Sequence, residues 1–598
     1  MKYFIRTYGC QMNERDSEAL GAALEKAGFT RGSEEEADLL LFNTCSVRDA
    51  AERKAKGKIG YIRKLKQKNP DLIIGVTGCM AQRLGDELLK ELPHLDFVLG
   101  TGQMQRLVPL VNEIMADRTR RVETELSSEV LESMGGHDEN PSWHGQIAIT
   151  RGCNRFCSYC IVPYVRGREI SRTKESVITE AKELVARGVK EILLLGQNVA
   201  AYGLNGDTRP PAEDHSPFAE LLEEMNEIPG LHRIRFTSPY VSYFNARLID
   251  ALRNCSKVCH NVHLPLQSGS DRILKAMNRQ YTAESYLAKV HEIRAAIPDV
   301  TFSTDVIVGF PGEEEADFLM TREVMNKVGF EQAYVFKYSP RPGAKSALLA
   351  DSVPEKVKEE RNQILLGDLK ERVVRKLKTL KGETVEVLLE GVSARNAQRW
   401  SGRTSTSFVV HFEPDEKCSP GTLRKVKITQ VNTVSLFGTL LPEEDFCNHR
   451  TKPKKIRTAD CSSPEEKSVS SAELGEPCFR QFGPCGNVFV FQVKSVAVSA
   501  VGEDVHFGGD SGAFQCQIPE NAALDSDGVV LSLNDKGGGD TFINGEFRID
   551  IARVVHQISR INQHGKIRLE RNFIPCVGSR IRDPRSRSGK GRRQMSPC

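Results

Sequence analysis

Arg151-Gly152-Cys153-Asn154-Arg155-Phe156-Cys157-Ser158-Tyr159-Cys160 carries three cysteines, spaced by three residues and then by two. That spacing brings three thiols round one short loop, a set able to hold three irons of a cubane cluster and leave the fourth without a protein ligand. An iron left open in this way is a place for chemistry. A zinc knuckle and a chance cluster are the other readings. Zinc, however, favours four ligands in pairs of the C-x2-C type; no fourth cysteine lies close by, and the nearest histidine, His144, precedes the adjoining strand. Around the triplet, from about 144 to 377, strand and helix patterns alternate, with strand candidates at 146–150, 191–195, 233–237, 261–264, 300–308 and 332–338. Such alternation builds a parallel sheet, and in βα barrels the active site lies at the carboxyl ends of the strands. The cysteine loop begins right after the first candidate strand. Gln197, Gln267 and Gly309 follow three others and are expected to face the same pocket.

Upstream, three more cysteines each close an apolar run: residues 3–9 lead to Cys10, 38–44 to Cys45 and 72–78 to Cys79. Helical patterns at 16–27 and 47–65 lie between them, so the segment reads strand, cysteine, helix three times over. In a parallel sheet the carboxyl ends share one edge, where three cysteines distant in sequence meet. A second metal site is therefore expected at Cys10, Cys45 and Cys79. Ser46 with Asp49 reads as a helix cap after Cys45, and thiols at helix N-termini are expected to have lowered pKa values. A single cysteine at a strand end is ordinarily packing; three at equivalent places argue against coincidence.

Length and composition set the frame. A chain of 598 residues exceeds one core and suggests several domains, and a net charge of +4 confines any nucleic-acid footprint to a local patch. The sixteen cysteines would suit disulfides in a secreted protein. Lys2 and Arg6, however, interrupt the first ten residues, no apolar core of signal-peptide length follows, and no run reaches membrane-span length. Reduced thiols in the cytoplasm are expected. The segments are an α/β domain with a parallel sheet at 1–116, a polar linker at 117–143, the alternating domain at 144–377, and short alternating strands at 378–441 separated by glycine and proline turns. The strand candidates of this last segment, at 384–389, 407–412, 424–430 and 434–439, outline a small β-barrel. A helix at 354–381 precedes it and ends in Arg372, Arg375, Lys376, Lys378 and Lys381, which suit phosphates as well as the helix dipole.

Residues 442–598 read as an irregular, partly disordered extension. Residues 445–473 are polar, charged and serine-rich, strand candidates lie at 487–496, 528–533 and 547–561, and a basic run extends from Arg580 to Arg593. Seven cysteines here fit no metal spacing.

The C-x3-C-x2-C loop, with Tyr159 before its last cysteine, resembles the signature of the radical S-adenosylmethionine (SAM) enzymes. Tyr8-Gly9-Cys10-Gln11-Met12-Asn13, Asn43-Thr44-Cys45-Ser46-Val47-Arg48 and Thr77-Gly78-Cys79-Met80-Ala81-Gln82 resemble the N-terminal domain of the methylthiotransferases. The run from Ile161 to Glu169, Leu195-Gly196-Gln197-Asn198-Val199, the run from His263 to Ser270 and the run from Ser303 to Gly312 resemble further blocks of that family, in order, to about Leu441. Trp400-Ser401-Gly402-Arg403-Thr404 resembles the TRAM domain, an RNA-binding module. Two departures stand out: Ala200 where the family usually has Asn, and Tyr240-Val241-Ser242 in place of a His-Pro-like run.

The resemblance implies a partial (βα)6 barrel and two 4Fe-4S clusters, one on Cys153, Cys157 and Cys160 and one on Cys10, Cys45 and Cys79, with SAM on the open iron of the first. Tyr159, Gln197, Gln267 and Gly309 are the implied cofactor contacts. For Tyr159 a core role is equally available; for Gln197, taken alone, a turn role is the commoner one, and Gly309 lies in a tight turn whatever else it does. The implied activity is methylthio insertion at carbon 2 of N6-isopentenyladenosine beside the anticodon of tRNA. The implied partners are tRNA and an electron donor such as a flavodoxin or ferredoxin, for a monomer whose sulfur donor the sequence does not indicate. A sister methylthiotransferase acting on threonylcarbamoyladenosine or a ribosomal-protein aspartate, and a non-catalytic iron-sulfur RNA-binding protein, are the alternatives.

Overall fold

The computed structural model describes residues 1–47, 49–126, 136–137, 142–204, 206 and 209–442, with four short strands beyond them. The chain divides into two compact units, Met1–Lys455 and Ile456–Cys598.

The first unit opens with a parallel sheet of β1 (Lys2–Thr7), β2 (Thr30–Arg31), β3 (Leu39–Thr44), β4 (Ile73–Gly78), β5 (Phe97–Leu99) and β6 (Arg121–Glu123), in the order β2-β1-β3-β4-β5-β6. β3 and β4 are buried at every residue, as a sheet covered on both faces requires. Leu20, Leu24, Leu107, Leu110 and Ile114 pack against Leu39 and Leu41 on one face, while Ile59, Ile62 and Met80 pack against Leu40 and Phe42 on the other. The helices run Gln11–Lys26 and Asp49–Lys68. β6 lies within the stretch read as linker. Its three residues are too few to show a period, and pairing with β5 makes them a strand.

Next come six parallel strands: β7 (His144–Ala148), β10 (Glu191–Leu195), β11 (Arg233–Phe236), β12 (Asn261–His263), β13 (Thr301–Val308) and β14 (Gln332–Lys337). They form two three-stranded sheets, β11-β10-β7 and β12-β13-β14, joined by a parallel bridge between Ile234 and Val258. This is the partial barrel expected. A two-residue pair, β8 (Thr150–Arg151) with β9 (Ile170–Ser171), closes the base of the cysteine loop.

A helix, Glu355–Thr379, leads into a closed five-stranded barrel of β15 (Thr384–Ser393), β16 (Asn396–Arg403), β17 (Val409–Phe412), β18 (Leu423–Val431) and β19 (Leu436–Leu440). β16 escaped the alternation pattern. Its Asn, Gln, Arg and Gly residues have poor strand propensity, and a tight hairpin, with Ser393 facing Asn396, enforces the pairing. This barrel sits against the starts of the parallel strands. Arg235 donates to Ser407 Oγ (2.8 Å) and to the carbonyl of Thr404 (2.9 Å), Arg233 donates to the carbonyl of Arg403, and Thr301 Oγ1 donates to the carbonyl of Thr406 (2.9 Å).

In the second unit the described strands are β20 (Val505–Phe507) paired with β21 (Phe514–Cys516), and β22 (Val529–Ser532) paired with β23 (Glu546–Ile549), all antiparallel. The candidate linker at 445–473, the strand candidate at 487–496, and the basic run all lie outside the described residues.

Candidate metal and cofactor site

Cys10, Cys45 and Cys79 follow the carboxyl ends of β1, β3 and β4, three adjacent strands in parallel register, with Thr7 level with Asn43 and Thr44 level with Gly78. Cys10 is the cap residue of helix Gln11–Lys26, and Cys79 opens the helix Cys79–Leu84. The turns close tightly. Gly78 has φ +92°, and a Cβ there would lie 2.4 Å from the Thr44 carbonyl oxygen; a Cβ on Gly9 would meet the Cys45 Cβ at 2.8 Å. Asn13 Nδ2 donates to Asn43 Oδ1 (3.1 Å), and Asn43 Nδ2 donates back to the Asn13 carbonyl (2.8 Å), tying the Cys10 turn to the end of β3.

The expected lowering of thiol pKa fails for Cys79. Burial pushes it up to about 11 against the pull of Arg166, and the neighbouring Cys45 and Cys10 add to the rise. A bound metal deprotonates such a thiol outright. The Asp49 side chain of the expected cap lies outside the described residues; Ser46 Oγ instead accepts from Arg83 Nε (2.6 Å) and donates to Glu52 (3.2 Å).

The second cysteine set lies at the carboxyl end of β7. Gly152 has φ +79°, and a Cβ there would lie 2.1 Å from the Arg168 carbonyl oxygen, so only glycine lets the loop fold back on itself. The loop is pinned by Gly152 N donating to Gln197 Oε1 (2.6 Å), Cys160 N to the Cys157 carbonyl (3.0 Å) and Ser158 N to the Met277 carbonyl (3.0 Å). Burial pushes Cys153 up to about 11 and Cys160 above the ordinary range, with Cys157 adding to both. Among the described residues, no three His, Cys, Asp or Glu side chains converge tightly enough to share a single ion. A cubane asks for a wider spread, because each thiolate takes a separate iron. Three thiols at one sheet edge and three round one loop, with Cys79 feeling Cys45 and Cys10 and with Cys160 feeling Cys157 and Cys153, supply the donor chemistry such a cluster takes.

Tyr159 is partly buried against Ile273, Met277, Phe310 and Tyr338, and burial pushes its hydroxyl well above the ordinary pKa. Gln267 has φ +66° and bridges β13 through its backbone, its N–H donating to Asp305 (2.8 Å) and its carbonyl accepting from Ile307 (2.9 Å). Gly309 has φ +72°; a Cβ there would meet Lys358 at 2.3 Å, so the glycine admits the helix Glu355–Thr379.

Several neighbours had no role assigned to them individually from the sequence. Ile161 and Val165 pack on Cys79, and Arg166, only 4% exposed, donates to Asn13 Oδ1 (2.8 Å) and Asp16 Oδ2 (2.7 Å). The run from Ile161 to Arg166 thus touches both cysteine sets. Its place directly after Cys160 was the available signal. Tyr240, in the departing run, is sandwiched between Arg155 (4.3 Å) and Arg279 (4.4 Å), and its hydroxyl accepts from Gln280 N (2.8 Å). Ala200, the other departure, packs in the apolar core. No spacing in the sequence announces Arg279, which lies far along the chain from the loop it meets.

On the small barrel, Arg399 lies 5.3 Å over the Phe437 ring beside His411, lining an open cavity of about 680 Å³ that Lys417 and Arg424 also border. Of the basic helix end, Arg375, Lys376, Lys378 and Lys381 are exposed, whereas Arg372 donates to the Met325 carbonyl (2.9 Å) and to Asn326 (2.9 Å). No helix among the described residues is long and apolar enough to cross a membrane.

Residues 2–100 match the family described as "Uncharacterized protein family UPF0004", residues 147–325 the radical SAM superfamily and residues 378–441 the TRAM domain. The chain is 43% identical over 440 residues to the tRNA-2-methylthio-N(6)-dimethylallyladenosine synthase of Clostridium beijerinckii, covering 73% of this chain and 95% of that one. Identity to the protein of the same name from Carboxydothermus hydrogenoformans is 43% over 444 residues, covering 73% and 99%. Among solved structures, the radical SAM methyltransferase TsrM of Kitasatospora setae aligns at a TM-score of 0.45 and 13% identity, covering 70% of this chain and 80% of that one.

Proposed function

The chain belongs to the family of tRNA-2-methylthio-N6-dimethylallyladenosine synthases, and from that membership we propose that it inserts a methylthio group at carbon 2 of N6-dimethylallyladenosine beside the anticodon of tRNA. Membership implies SAM and 4Fe-4S clusters as cofactors. The target carbon carries an unactivated C–H bond, beyond acid-base catalysis at neutral pH; the reduced cluster with SAM supplies the hydrogen abstraction, and the second cluster supplies sulfur.

The chain's own residues hold and shield these groups. Cys153, Cys157 and Cys160 would ligate the cluster that takes SAM, with Gly152 and Gln197 fixing the loop and Tyr159 packing beside the cofactor. Cys10, Cys45 and Cys79 would ligate the second. Gln267 and Gly309 would shape the far wall of the pocket through their backbones. The observation that carries the reading is that both cysteine sets lie at strand carboxyl ends and are joined by one short run, from Ile161 to Arg166, that packs on Cys79 and bonds to the helix capped by Cys10.

The proposed organisation is a methylthiotransferase domain at 1–116, a connection at 117–143, a radical SAM domain at 144–377, a TRAM barrel at 378–441 and an extension from 442 on. The Arg399, His411 and Phe437 surface suits a stacked base and the exposed Lys376, Lys378 and Lys381 suit phosphates. A one-electron donor such as a flavodoxin or ferredoxin, action in the cytoplasm, and a monomeric state complete the reading. The test is anaerobic incubation of the reconstituted protein with SAM, sulfide, a reductant and tRNA bearing dimethylallyladenosine, followed by nucleoside mass spectrometry. The methylthio derivative is the expected product. SAM left uncleaved by the reduced, cluster-loaded protein would favour a non-catalytic RNA-binding role.

A further inference from the structure

Arg279 stands out among the cations near the central cysteine loop. Its guanidinium is partly buried, stacked on Tyr240 at 4.4 Å and on Tyr281 at 4.9 Å. Its N–H groups donate to the Tyr281 hydroxyl (2.9 Å), to the Pro265 carbonyl (3.1 Å) and to Cys157 Sγ (3.5 Å). Every one of these partners is formally neutral in a free-thiol protein. Among the described residues Arg279 pairs with no carboxylate, whereas Arg166, beside the other cysteine set, is neutralised by Asp16. A guanidinium enclosed by aromatic faces without a counter-charge is costly unless an anion arrives, and the sulfur it donates to is the obvious place for one.

We propose that Arg279 is the fixed counter-charge of a cluster held by Cys153, Cys157 and Cys160: it donates a hydrogen bond to the Cys157 thiolate and makes one-electron reduction of that cluster easier. Hydrogen bonds to ligand sulfurs and nearby net charge are two of the levers that set an iron-sulfur potential. A cluster on three thiolates gains one negative charge when reduced, and a cation fixed at one of those sulfurs stabilises that form more than the oxidised one. The two tyrosines hold the guanidinium plane in place, so the charge is preorganised.

The inference rests on the cluster assignment made above, and the experiment separates the two. In full-length protein carrying Cys10→Ala, Cys45→Ala and Cys79→Ala, a single cluster remains after anaerobic reconstitution, and iron is counted first. Absence of a cluster there refutes the assignment and this inference together. With the cluster present, dithionite titration followed by electron paramagnetic resonance, without SAM, compares the parent with Arg279→Gln and Arg279→Lys. The expected result is that Gln makes reduction at least ten-fold less favourable, a shift of about 59 mV to more negative potential for one electron, while Lys stays close to the parent. If Gln prevents loading and Lys restores it, the charge is needed to gather the thiolates and the inference holds; loss of loading in both assigns Arg279 to packing and overturns it. An unchanged potential with weakened SAM binding would give the cation to the cofactor's carboxylate and overturn it as well.

Discussion

Glu180, on the helix Lys174–Ala186, is 4% exposed and gathers three groups from separate parts of the chain: Arg15 Nη2 donates to it at 3.2 Å, His137 Nε2 lies 2.6 Å away, and Arg172 completes the set. Burial alone would raise its carboxyl, yet the His137 hydrogen bond and the charges of Arg172 and Arg15 hold it down to about 2, below the ordinary 4.5. Because the folded value lies below the unfolded one, the stability it contributes is present above 4.5 and is lost as the pH falls from there towards 2. Glu180→Gln removes the carboxylate that Arg172 and Arg15 share, with Glu18, at 3.6 Å, remaining beside Arg15, and is expected to cost about 3–5 kcal/mol at neutral pH. A denaturant midpoint of the apoprotein equal to the parent's at pH 7 would refute this, and the gap should narrow as the pH approaches 2. The cysteines carry a second prediction. Replacing Cys153, Cys157 and Cys160 by Ala should remove about half the iron and all SAM cleavage, whereas replacing Cys10, Cys45 and Cys79 should spare cleavage and abolish sulfur insertion. Equal loss of both activities in both triple variants, each shown folded by circular dichroism, would refute the division. At this scale the sequence announced the cysteines, because side chains proposed to share one group stand at fixed spacings or after equivalent strands. It did not announce Arg166 or Arg279, whose partners come from distant segments, nor the high pKa of Cys79, because burial is a property of the packed sheet and outweighed the helix end.

Among the elements, all six strands of the partial barrel lay where the alternation put them, within a residue or two at each end. β10 is a buried, nearly continuous apolar run, which reads clearly, whereas β14 is exposed at four of its six residues and read through its β-branched and aromatic content. β6 and β16 were missed for the opposite reason: one is too short for a period, the other too polar, and each exists through its partner. The small barrel has a role its RNA-binding likeness did not suggest. It supplies acceptors to Arg233, which is 3% exposed, and to Arg235, at the amino ends of the parallel strands, opposite the cysteine loop. A chain ending after Leu380 would remove the acceptors Arg403 and Glu386 from Arg233 and leave Arg235 with Glu191 alone, at about 1–3 kcal/mol for each donor left unpaired. Such a chain is expected to unfold at lower denaturant and to lose iron from the central loop, while Arg399→Ala in the intact chain should weaken tRNA binding and leave iron content unchanged. A truncated chain as stable as the parent would reduce the barrel to an RNA-binding appendage.

On the scale of the whole molecule the curated relatives align over 440–446 residues, and the chain continues to Cys598. Composition separates the two parts: residues 445–473 are polar and serine-rich, and every residue given a chemical role lies before them. Limited proteolysis is expected to cut in that stretch first and leave a core ending near Leu441 that keeps both clusters and methylthiolation. Loss of activity on truncation at Leu441, with iron retained, would make the extension part of the substrate site. The order of the chain also sets a schedule for its own making. The last strand of the parallel barrel, β14, ends at Lys337, but the acceptors at Arg403, Thr404 and Thr406 for Arg233, Arg235 and Thr301 lie at the end of β16 and in the loop that joins it to β17. At 5–20 residues per second the ribosome adds the roughly 70 residues between them in about 3–14 s. During that interval the nascent barrel has all six strands but no floor, so iron that reached the cysteine loop early would meet an unfinished protein.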